Sequence, residues 1–392
     1  MRRAGTSQGG GSLRILQMGS TRYRGGVSVA IASLCRALAR EGHAVRLVSD
    51  GGEEAERLTE EGVELDTLAL ESSPWHAVRG VPVVRRVIRR FRPDVVHVHG
   101  RAPSLACTLA GRMPDWFTLH NTHLTERVGW YDHGPVRRYL SPLGHRLFVL
   151  DERAAEYCSR ELAVANSRVC CVPNGVDCDR FTPPTVEERR AARARFGVPS
   201  DATLVVFVGR FHPQKQPEAV VDLAVAAREA GLDHVRFALV GEGTLAPLLR
   251  RRMEDAELGT TCRLHGWMDP CQAYHAADLV VMPSRYEGYG LVAAEAMAAG
   301  CPVLRSRTGG FRAMVVEGVT GFGCAVDPGD FVRVGLRVLR DPARLAIMRP
   351  AATAHARSVL SVRRQAQQTI AAYRKALRAG AGPRTRDAAR CS

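Results

Sequence analysis

Short runs of aliphatic and β-branched residues alternate along this chain with longer stretches whose apolar residues recur at helical spacing. This alternation is typical of parallel β-sheets whose strands are joined by crossover helices. In the first half the predicted strands are Arg14–Met18, Ala44–Ser49, Asp94–His97, Trp116–Leu119, His145–Leu150 and Val169–Val172. In the second half they are Leu204–Val208, Arg236–Val240, Cys262–Leu264, Asp278–Met282 and Pro302–Arg305. The pattern therefore predicts an α/β fold.

The amphipathic stretches between these strands are predicted to be helices. The first is Ser28–Arg40, which ends just before Gly42, a common helix stop signal. The others are Pro217–Ala230, Leu245–Leu258, Gly290–Ala299, Phe331–Leu339 and Val362–Leu377.

A chain of 392 residues suits two domains of ordinary size. Between Pro173 and Ser200 several prolines and a charged run interrupt the strand pattern, which places the boundary near residues 185–200. The predicted parts are a Rossmann-like doubly wound domain over 13–185, a second one over 195–360, a terminal helix over 361–378 that can pack back on the first domain, and a disordered tail over 379–392. Two such domains facing each other would bind ligands in a cleft at the carboxyl ends of their strands.

Composition narrows the classes of function. The chain has 45% hydrophobic residues but no long apolar run, and its N-terminus lacks the apolar core of a secretion signal, so we expect a cytoplasmic protein. Its net charge of +15 is compatible with nucleic acid, an anionic membrane or a phosphorylated substrate. Aromatic residues make up only 6% and do not interleave with basic stretches, which argues against nucleic acid as a partner.

The stretch Ser284–Gly300 carries the most informative chemistry. It follows a predicted strand and opens a predicted helix, so Gly288 and Gly290 allow backbone amides to approach an anionic ligand. Glu287 lies in the loop and Glu295 lies inside the helix, an offset from which two carboxylates can touch different parts of one extended ligand. The same residues are also compatible with a glycine-rich loop and a solvated glutamate.

The Glu-x₇-Glu pattern, followed by small residues and a Gly-x-Pro-Val sequence, resembles the donor-site signature of glycosyltransferase family 4, which has the two-domain GT-B fold. Further motifs resemble those of that family in the same order along the chain. They are Gly25-Gly26 of a phosphate loop, Val172–Asp177 at the start of the linker, the Gly-Arg-x₄-Lys loop Gly209–Lys215, and the strand end Leu239–Gly243.

This resemblance implies a retaining transferase that moves a hexosyl group of the GlcNAc or glucose type from a UDP-sugar held by the C-terminal domain. Breaking a sugar–phosphate bond leaves negative charge on a diphosphate, so fixed positive charge is needed there. Arg210 and Lys215 would supply it from one strand-end loop, and the amides of Gly25 and Gly26 would add to it from the other domain. This arrangement would require no metal ion and no cofactor.

By the same resemblance, Glu295 would hold the ribose hydroxyls and Glu287 would lie beside the donor sugar. The main chain of Gly288, Tyr289, Gly290 and Leu291 would line the sugar and the diphosphate. One position departs from the family pattern, because Gln216 follows Lys215 where the family commonly has glycine.

His120, at the end of a predicted strand, matches a family position that points toward the donor sugar, where it would position groups rather than act as a base. The polar and aromatic segment after it would lie on the acceptor side. The acceptor-side candidates are His123, Glu126, Asp132 and Asn174. The segment loosely resembles glycosyltransferases that act on 2-deoxystreptamine in aminoglycoside pathways, which suggests a small hydroxylated or aminocyclitol acceptor in antibiotic biosynthesis.

Several alternatives compete with this interpretation. Asp177-Cys178-Asp179 spells the Asp-x-Asp that holds a cation in GT-A enzymes, but it lies in the linker of a chain that lacks the GT-A layout. The pairs His97/His99 and His120/His123 could suggest zinc, but no Cys or carboxylate partner has suggestive spacing. The basic segment Arg79–Arg92 is either a membrane-docking helix or an ordinary crossover helix, and we favour the second. The remaining alternatives are a membrane-associated transferase of cell-wall, capsule or glycolipid synthesis and a non-catalytic nucleotide-sugar-binding protein.

Overall fold

The computed structural model describes residues 11–22, 25–70, 74–120 and 144–379. The chain divides into two compact units, the first formed by Met1–Val172 with Ala366–Ser392 and the second by Pro173–Gln365. Each unit contains a twisted sheet in which the described strand pairs are all parallel. The predicted α/β fold with two Rossmann-like sheets is confirmed.

In the described part of the first unit the sheet has seven strands in the order β3-β2-β1-β4-β5-β6-β7. Strands β1 to β7 are Arg14–Gly19, Ala44–Ser49, Glu64–Thr67, Val95–His99, Trp116–Leu119, Arg146–Val149 and Val169–Cys171. Helices α1 to α5 are Gly26–Arg40, Glu53–Glu60, Pro74–Phe91, Arg101–Leu109 and Glu152–Arg160. A buried apolar core that includes Leu16, Val98 and Phe117 lies between the sheet and helices α3, α4 and α5.

In the second unit the sheet has six strands in the order β10-β9-β8-β11-β12-β13. Strands β8 to β13 are Thr203–Val208, Val235–Val240, Cys262–His265, Leu279–Met282, Val303–Ser306 and Gly321–Cys324. Helices α6 to α14 are Val186–Phe196, Glu218–Glu229, Ala246–Asp255, Pro270–Ala276, Leu291–Ala298, Phe311–Met314, Pro328–Leu339, Pro342–Val359 and Val362–Arg378. The last of these begins in the second unit and continues into the first, which takes up the chain again at Ala366.

The sequence pattern did not predict two of the described strands, because neither contains an apolar run. Strand β3, Glu64–Thr67, is a polar edge strand that Arg46 of β2 holds through ion pairs of 2.5 Å to Glu64 and Asp66. Strand β13, Gly321–Cys324, contains two glycines, which weaken the β-signal although the strand is buried.

The boundary between the units lies at Pro173, upstream of the 185–200 region that the sequence predicts. Residues after Pro173 belong to the second unit because their side chains and backbone bind to it. Arg189 and Arg193 of α6 donate to Asp278, over distances of 2.5 and 3.0 Å. Val176 exchanges backbone hydrogen bonds with Leu360 and Val362.

The basic segment of α3 packs as a crossover helix. Val84, Val87 and Phe91 are buried in the core, whereas the neighbouring Arg86 and Arg90 are exposed. The core of the first unit therefore covers the apolar face of this helix. Within the described residues, no helix combines the length and the apolar composition that a membrane span needs.

Candidate functional site

The strand order of the second sheet reverses between β8 and β11, which are hydrogen-bonded neighbours although their residues are far apart in sequence. In open α/β sheets ligands bind outside the carboxyl ends of the strands at such a reversal. The loop after β8 carries Arg210 and Lys215, and the loop after β11 carries Glu287. The fold thus brings these predicted site residues to one edge of the sheet.

Lys215 and Glu287 form a short ion pair at this edge, with Nζ and Oε1 2.6 Å apart. Ser284 Oγ donates to the same Oε1 over 2.6 Å. The Glu287 side chain is only 7% exposed. Burial acts to raise the pKa of Glu287, but the charge and hydrogen bond of Lys215 and the hydroxyl of Ser284 outweigh it, so the pKa lies below its usual value. An ammonium and a carboxylate therefore face each other at neutral pH.

Gln214 joins the two loops. Its carbonyl oxygen accepts from the amide of Arg285 over 2.9 Å, and its Nε2 donates to the carbonyl of Tyr286 over 3.2 Å. Its Oε1 accepts from Arg210 Nη2 over 3.2 Å, which holds the otherwise exposed Arg210 side chain against the site. Sequence reasoning missed Gln214, which is buried beside Lys215.

Gln216 adopts a left-handed backbone conformation, with φ +48°. Such a conformation strains most side chains but not glycine. Position 216, where the family commonly has glycine, therefore keeps a glycine-like turn although it carries a glutamine. Gln216 is buried, and the side chain of Lys215 before it extends from the loop to Glu287.

Arg305, in β12, is a second residue that sequence reasoning missed. It is fully buried, and it donates from Nη1 to the carbonyl of Tyr289 over 3.1 Å and from Nη2 to that of Gly309 over 2.7 Å. Burial lowers the pKa of its guanidinium, while nearby Glu287 acts to raise it. The sequence does contain a signal for this residue, because a charged side chain at the end of a run of buried strand residues requires a partner.

The guanidinium of Arg305 also orients the backbone before α10. Because the C=O and N–H of a trans peptide point in opposite directions, anchoring the Tyr289 carbonyl turns the amide of Gly290 away from Arg305. Gly290 has φ +93°, and a Cβ there would lie 2.6 Å from Arg305 Nη1. The glycine is therefore required by the conformation and by the close approach of the arginine. The first amides of α10 then form an anion-favouring helix start.

Glu295, inside α10, is buried and accepts a hydrogen bond from Tyr274 Oη to Oε2 over 2.7 Å. Burial, and then the charge of Glu295, raise the pKa of Tyr274 well above its usual value, so the phenol stays a donor. Tyr274 thereby fixes the rotation of the carboxylate.

We expect Glu295→Ala to weaken UDP binding by about tenfold or more, because a charge-assisted hydrogen bond is lost. Tyr274→Phe keeps the carboxylate and should weaken binding only a few-fold. Isothermal titration with UDP checks both variants, with the exposed Glu254 of α8 changed to alanine as control. An unchanged dissociation constant of UDP for Glu295→Ala would contradict the prediction that Glu295 holds the ribose hydroxyls.

In the first unit, Gly25 is the N-cap of α1 and Gly26 its first residue, so this helix begins at the two glycines that the sequence singles out. Asp50 holds the preceding loop, since its carboxylate accepts from the amides of Thr21 and Arg22 over 2.9 and 3.1 Å. It also accepts from Ser20 Oγ over 2.6 Å.

His120 follows β5 and is buried, with its Nε2 3.2 Å from Nδ1 of His99. The acceptor-side candidates His123, Glu126 and Asp132 lie outside the described residues. Asn174 belongs to the second unit, where its Oδ1 accepts from Gln365 Nε2 over 3.4 Å. That contact ties the linker to α14, and a role of Asn174 toward the acceptor stays a prediction.

The metal alternatives find no geometric support in the described residues, where no group of three or more His, Cys, Asp or Glu side chains is arranged to hold an ion. Asp177 Oδ1 instead accepts from the amides of Asp179 and Arg180, which closes a local turn. His97 and His99 do share a face of β4, with ring centroids 4.3 Å apart.

Two family models match the chain in tandem. Residues 24–180 match Glycosyltransferase Family 4, and residues 188–355 match Glycosyl transferases group 1.

Similar sequences carry a shared description. A D-inositol 3-phosphate glycosyltransferase of Geodermatophilus obscurus is 37% identical over 53% of this chain, and the chain spans only about half of that relative, 47% of its length. D-inositol 3-phosphate glycosyltransferase 1 of Catenulispora acidiphila is 29% identical over 84% of this chain and 90% of its own.

Solved structures share the fold. A glycosyltransferase from Rickettsia africae superposes with a TM-score of 0.77 at 18% identity, over 93% of this chain and 98% of its own. Anabaena HepE in complex with UDP-glucose gives a TM-score of 0.77 at 18% identity, over 92% of this chain and 99% of its own. With both family models and the two parallel α/β sheets, the chain belongs to the GT4-like, group 1 glycosyltransferases of the GT-B fold.

Proposed function

We propose that this protein is a retaining transferase that moves a hexosyl group of the glucose or GlcNAc type from a UDP-sugar to a hydroxyl of a small cyclitol. The observation that carries the proposal is the cluster of Arg210, Lys215 and Glu287 at the strand-order reversal of the second sheet. HepE, whose fold this chain shares, binds UDP-glucose, which supports the choice of donor.

The chemistry of the cluster fits the departure of a nucleoside diphosphate. Lys215 provides a point charge and Arg210 a planar fork, and both groups stabilise negative charge that grows on the phosphate oxygens as the sugar leaves. The amide of Gly290, turned by Arg305, and the start of α10 add fixed dipoles of the same sign. The carboxylate of Glu287 is suited to accept hydrogen bonds from sugar hydroxyls.

The cyclitol acceptor is supported by the relatives, which are described as D-inositol 3-phosphate glycosyltransferases. An inositol phosphate and a 2-deoxystreptamine-like aminocyclitol share a polyhydroxylated six-membered carbocycle, but they carry opposite charges. The net charge of +15 favours the phosphorylated one. An aminocyclitol in antibiotic biosynthesis is the second candidate acceptor, on the strength of the segment that follows His120. In either case we propose a cytoplasmic enzyme.

A donor-by-acceptor screen tests the proposal. The purified protein is incubated with UDP-GlcNAc, UDP-glucose or GDP-mannose and with inositol, inositol 3-phosphate or 2-deoxystreptamine, and products are detected by mass spectrometry. We expect a UDP-sugar to pair with one of the cyclitols, and NMR of the product to show the anomeric configuration of the donor. Transfer to none of the three cyclitols, with transfer to a lipid or polymer acceptor that is tested alongside them, would overturn the cyclitol assignment, and an inverted anomer would overturn retention.

Excess EDTA should leave the rate of transfer within about twofold of the untreated enzyme, because Arg210 and Lys215 supply the positive charge that a metal would otherwise provide. The rate is measured on protein dialysed against the chelator, with and without added Mg²⁺. A complete loss of activity that Mg²⁺ restores would contradict the proposed charge stabilisation.

A further inference from the structure

A buried hydroxyl lies beside the carboxylate of Glu287. Ser284 follows β11, separated from it by Pro283, and is 1% exposed. Its Oγ donates to Oε1 of Glu287 over 2.6 Å. Serine hydroxyls in loops commonly bond to nearby backbone groups, whereas this hydroxyl meets the side chain of a residue that we propose for the donor site. The contact therefore ties Ser284 to Glu287 rather than to the backbone of the loop.

The backbone around this contact is held by neighbouring loops. The amide of Arg285 donates to the carbonyl of Gln214 over 2.9 Å, and the side chain of Gln214 donates to the carbonyl of Tyr286 over 3.2 Å. From the loop after β12, Gly309 packs so closely that a Cβ there would lie 2.4 Å from the carbonyl oxygen of Glu287. The side chain of Glu287 is what can still turn, and its hydrogen-bond donors decide where the carboxylate points.

Two donors from different loops reach the same oxygen of Glu287. Lys215 Nζ and Ser284 Oγ each lie 2.6 Å from Oε1. A carboxylate oxygen has two lone pairs, so these donors occupy Oε1 fully. Within the described residues no hydrogen bond to Oε2 is found, and the lone pairs of Oε2 are therefore those that a ligand can use.

The two donors differ in how they respond to an anionic ligand. The ammonium of Lys215 lies at the end of a flexible stem and carries three protons, so a diphosphate can compete for it. The hydroxyl of Ser284 lies on a short, buried side chain, and its single proton is directed to Glu287. Ser284 is therefore the donor that keeps its place when negative charge enters the site.

The charge of Glu287 depends on the same contacts. Burial acts to raise the pKa of this carboxyl, but the charge and hydrogen bond of Lys215, the hydroxyl of Ser284 and the charge of Arg305 together lower it below its usual value. These groups face the carboxyl from the loops after β8 and β11 and from β12. A diphosphate that draws on Lys215 weakens the largest of the favourable contributions, which increases the weight of the Ser284 hydrogen bond.

We propose that Ser284 is a positioning residue, which holds the carboxylate of Glu287 by Oε1 and leaves Oε2 to accept a hydrogen bond from a hydroxyl of the donor sugar. This inference rests on the proposed transferase function, because it assigns a role to a second residue of the same donor site. Ser284 itself touches no substrate. It fixes the direction of the acceptor oxygen, and it extends the pH range over which that acceptor stays charged.

Ser284→Ala removes the hydroxyl without adding bulk to the loop. We expect kcat/KM for the donor sugar to fall by about tenfold or more, the effect of losing a hydrogen bond to a charged group. Affinity for UDP should stay within about twofold, since UDP carries no sugar for Glu287 to hold. Ser284→Thr keeps a hydroxyl and should recover most of the rate. Ser306→Ala is the control, because Ser306 is a similarly buried serine at the end of β12 whose Oγ lies 3.9 Å from Cys324 Sγ.

Thermal unfolding checks that each variant is folded. An affinity for UDP that falls as far as kcat/KM in Ser284→Ala would mean that the serine supports the whole loop, which overturns its specific role toward Glu287. An equal loss of kcat/KM in Ser306→Ala would overturn that role as well.

The pH dependence separates positioning from a purely structural role. A hydrogen bond to the charged form lowers the pKa of an acid, so Ser284→Ala raises the pKa of Glu287 and moves the acid limb of the kcat/KM profile to higher pH. The side chain in Glu287→Gln cannot titrate, and this variant should lose the limb from its residual activity. An acid limb at the same pH in the wild type and in Ser284→Ala contradicts the proposal.

The charge of Glu287 is also read without any reaction, from the carbon-13 signal of its side-chain carboxyl in the full chain, assigned with Glu287→Gln. We expect this signal to titrate at higher pH in Ser284→Ala than in the wild type, and at the wild-type pH in Ser306→Ala. If no donor and acceptor in the screen react, the proposed function fails while the titration still decides the contact. If transfer occurs and Ser284→Ala leaves both the titration and the pH profile unchanged, the reaction stands and the positioning role is overturned.

Discussion

Replacing Lys215 with alanine lowers kcat/KM for sugar transfer by about 100- to 1000-fold, the effect expected when one fixed charge at a developing anion is removed. UDP binding weakens as well, since the ammonium is held in place by Glu287 before any ligand arrives. Lys215→Arg should recover part of the loss, because it keeps the charge but replaces a compact ammonium by a larger planar group. Rates are measured under donor-limiting conditions, and binding by calorimetry with UDP.

The chain offers a matched control for this variant. It contains only two lysines, Lys215 and Lys375, among 55 basic residues. Lys375 is exposed on the last helix and belongs to the first unit, so Lys375→Ala changes the same charge away from the cluster. Donor binding and turnover at the wild-type level in Lys215→Ala would refute the site. An equal loss in Lys375→Ala would attribute the effect to net charge instead.

Replacing Arg305 with methionine lowers both the stability of the fold and the affinity for the donor. The variant leaves the buried carbonyls of Tyr289 and Gly309 without their donor, at about 1–3 kcal/mol for each orphaned group, and removal of a desolvated charge offsets part of that loss. We expect the free energy of unfolding to fall by about 2 kcal/mol. UDP affinity should fall by about tenfold, because the amide of Gly290 is no longer held in place.

Urea unfolding and UDP titration give the two readouts for Arg305→Met. Arg307→Met is the control, since Arg307 lies two residues further along the chain but is half exposed and pairs with the half-exposed Glu317. Arg305→Lys tests whether the charge alone suffices, because one ammonium cannot reproduce the planar fork that reaches both carbonyls. Wild-type stability and wild-type affinity in Arg305→Met would show that the arginine does not shape the loop.

Much of the fold was predictable because its determinants are local. The buried parallel strands appear in the sequence as apolar runs, and α1 and α7 appear as amphipathic stretches. The observed bounds of these elements therefore agree with the predicted bounds to within one or two residues. The features that the sequence did not predict depend instead on contacts between residues that are distant along the chain. Strand β3 is stabilised by ion pairs to Arg46, and the residues after Pro173 join the second unit through Asp278.

The candidate site divides in the same way. Motif spacing on one loop or one helix was sufficient to single out Lys215, Glu287 and Glu295, because the residues of each motif are neighbours in the chain. Gln214 and Arg305 carry no such spacing, since their importance comes from carbonyls and side chains on other elements. Gln216 is an intermediate case. The sequence shows that a glutamine replaces the glycine that is common in the family, but only the backbone angle shows that the turn is kept.

The sequence by itself determined that this chain forms two parallel α/β sheets, and it singled out the residues that we propose for nucleotide-sugar binding. The tertiary structure decided which of those residues meet. Lys215 and Glu287 touch because β8 and β11 are neighbours in the sheet. Gln17, His99, His120 and Tyr373 form one hydrogen-bonded chain because the last helix returns to the first unit. The physical reason is that hydrophobic periodicity specifies each element locally, whereas strand order and burial pair side chains that are distant along the chain.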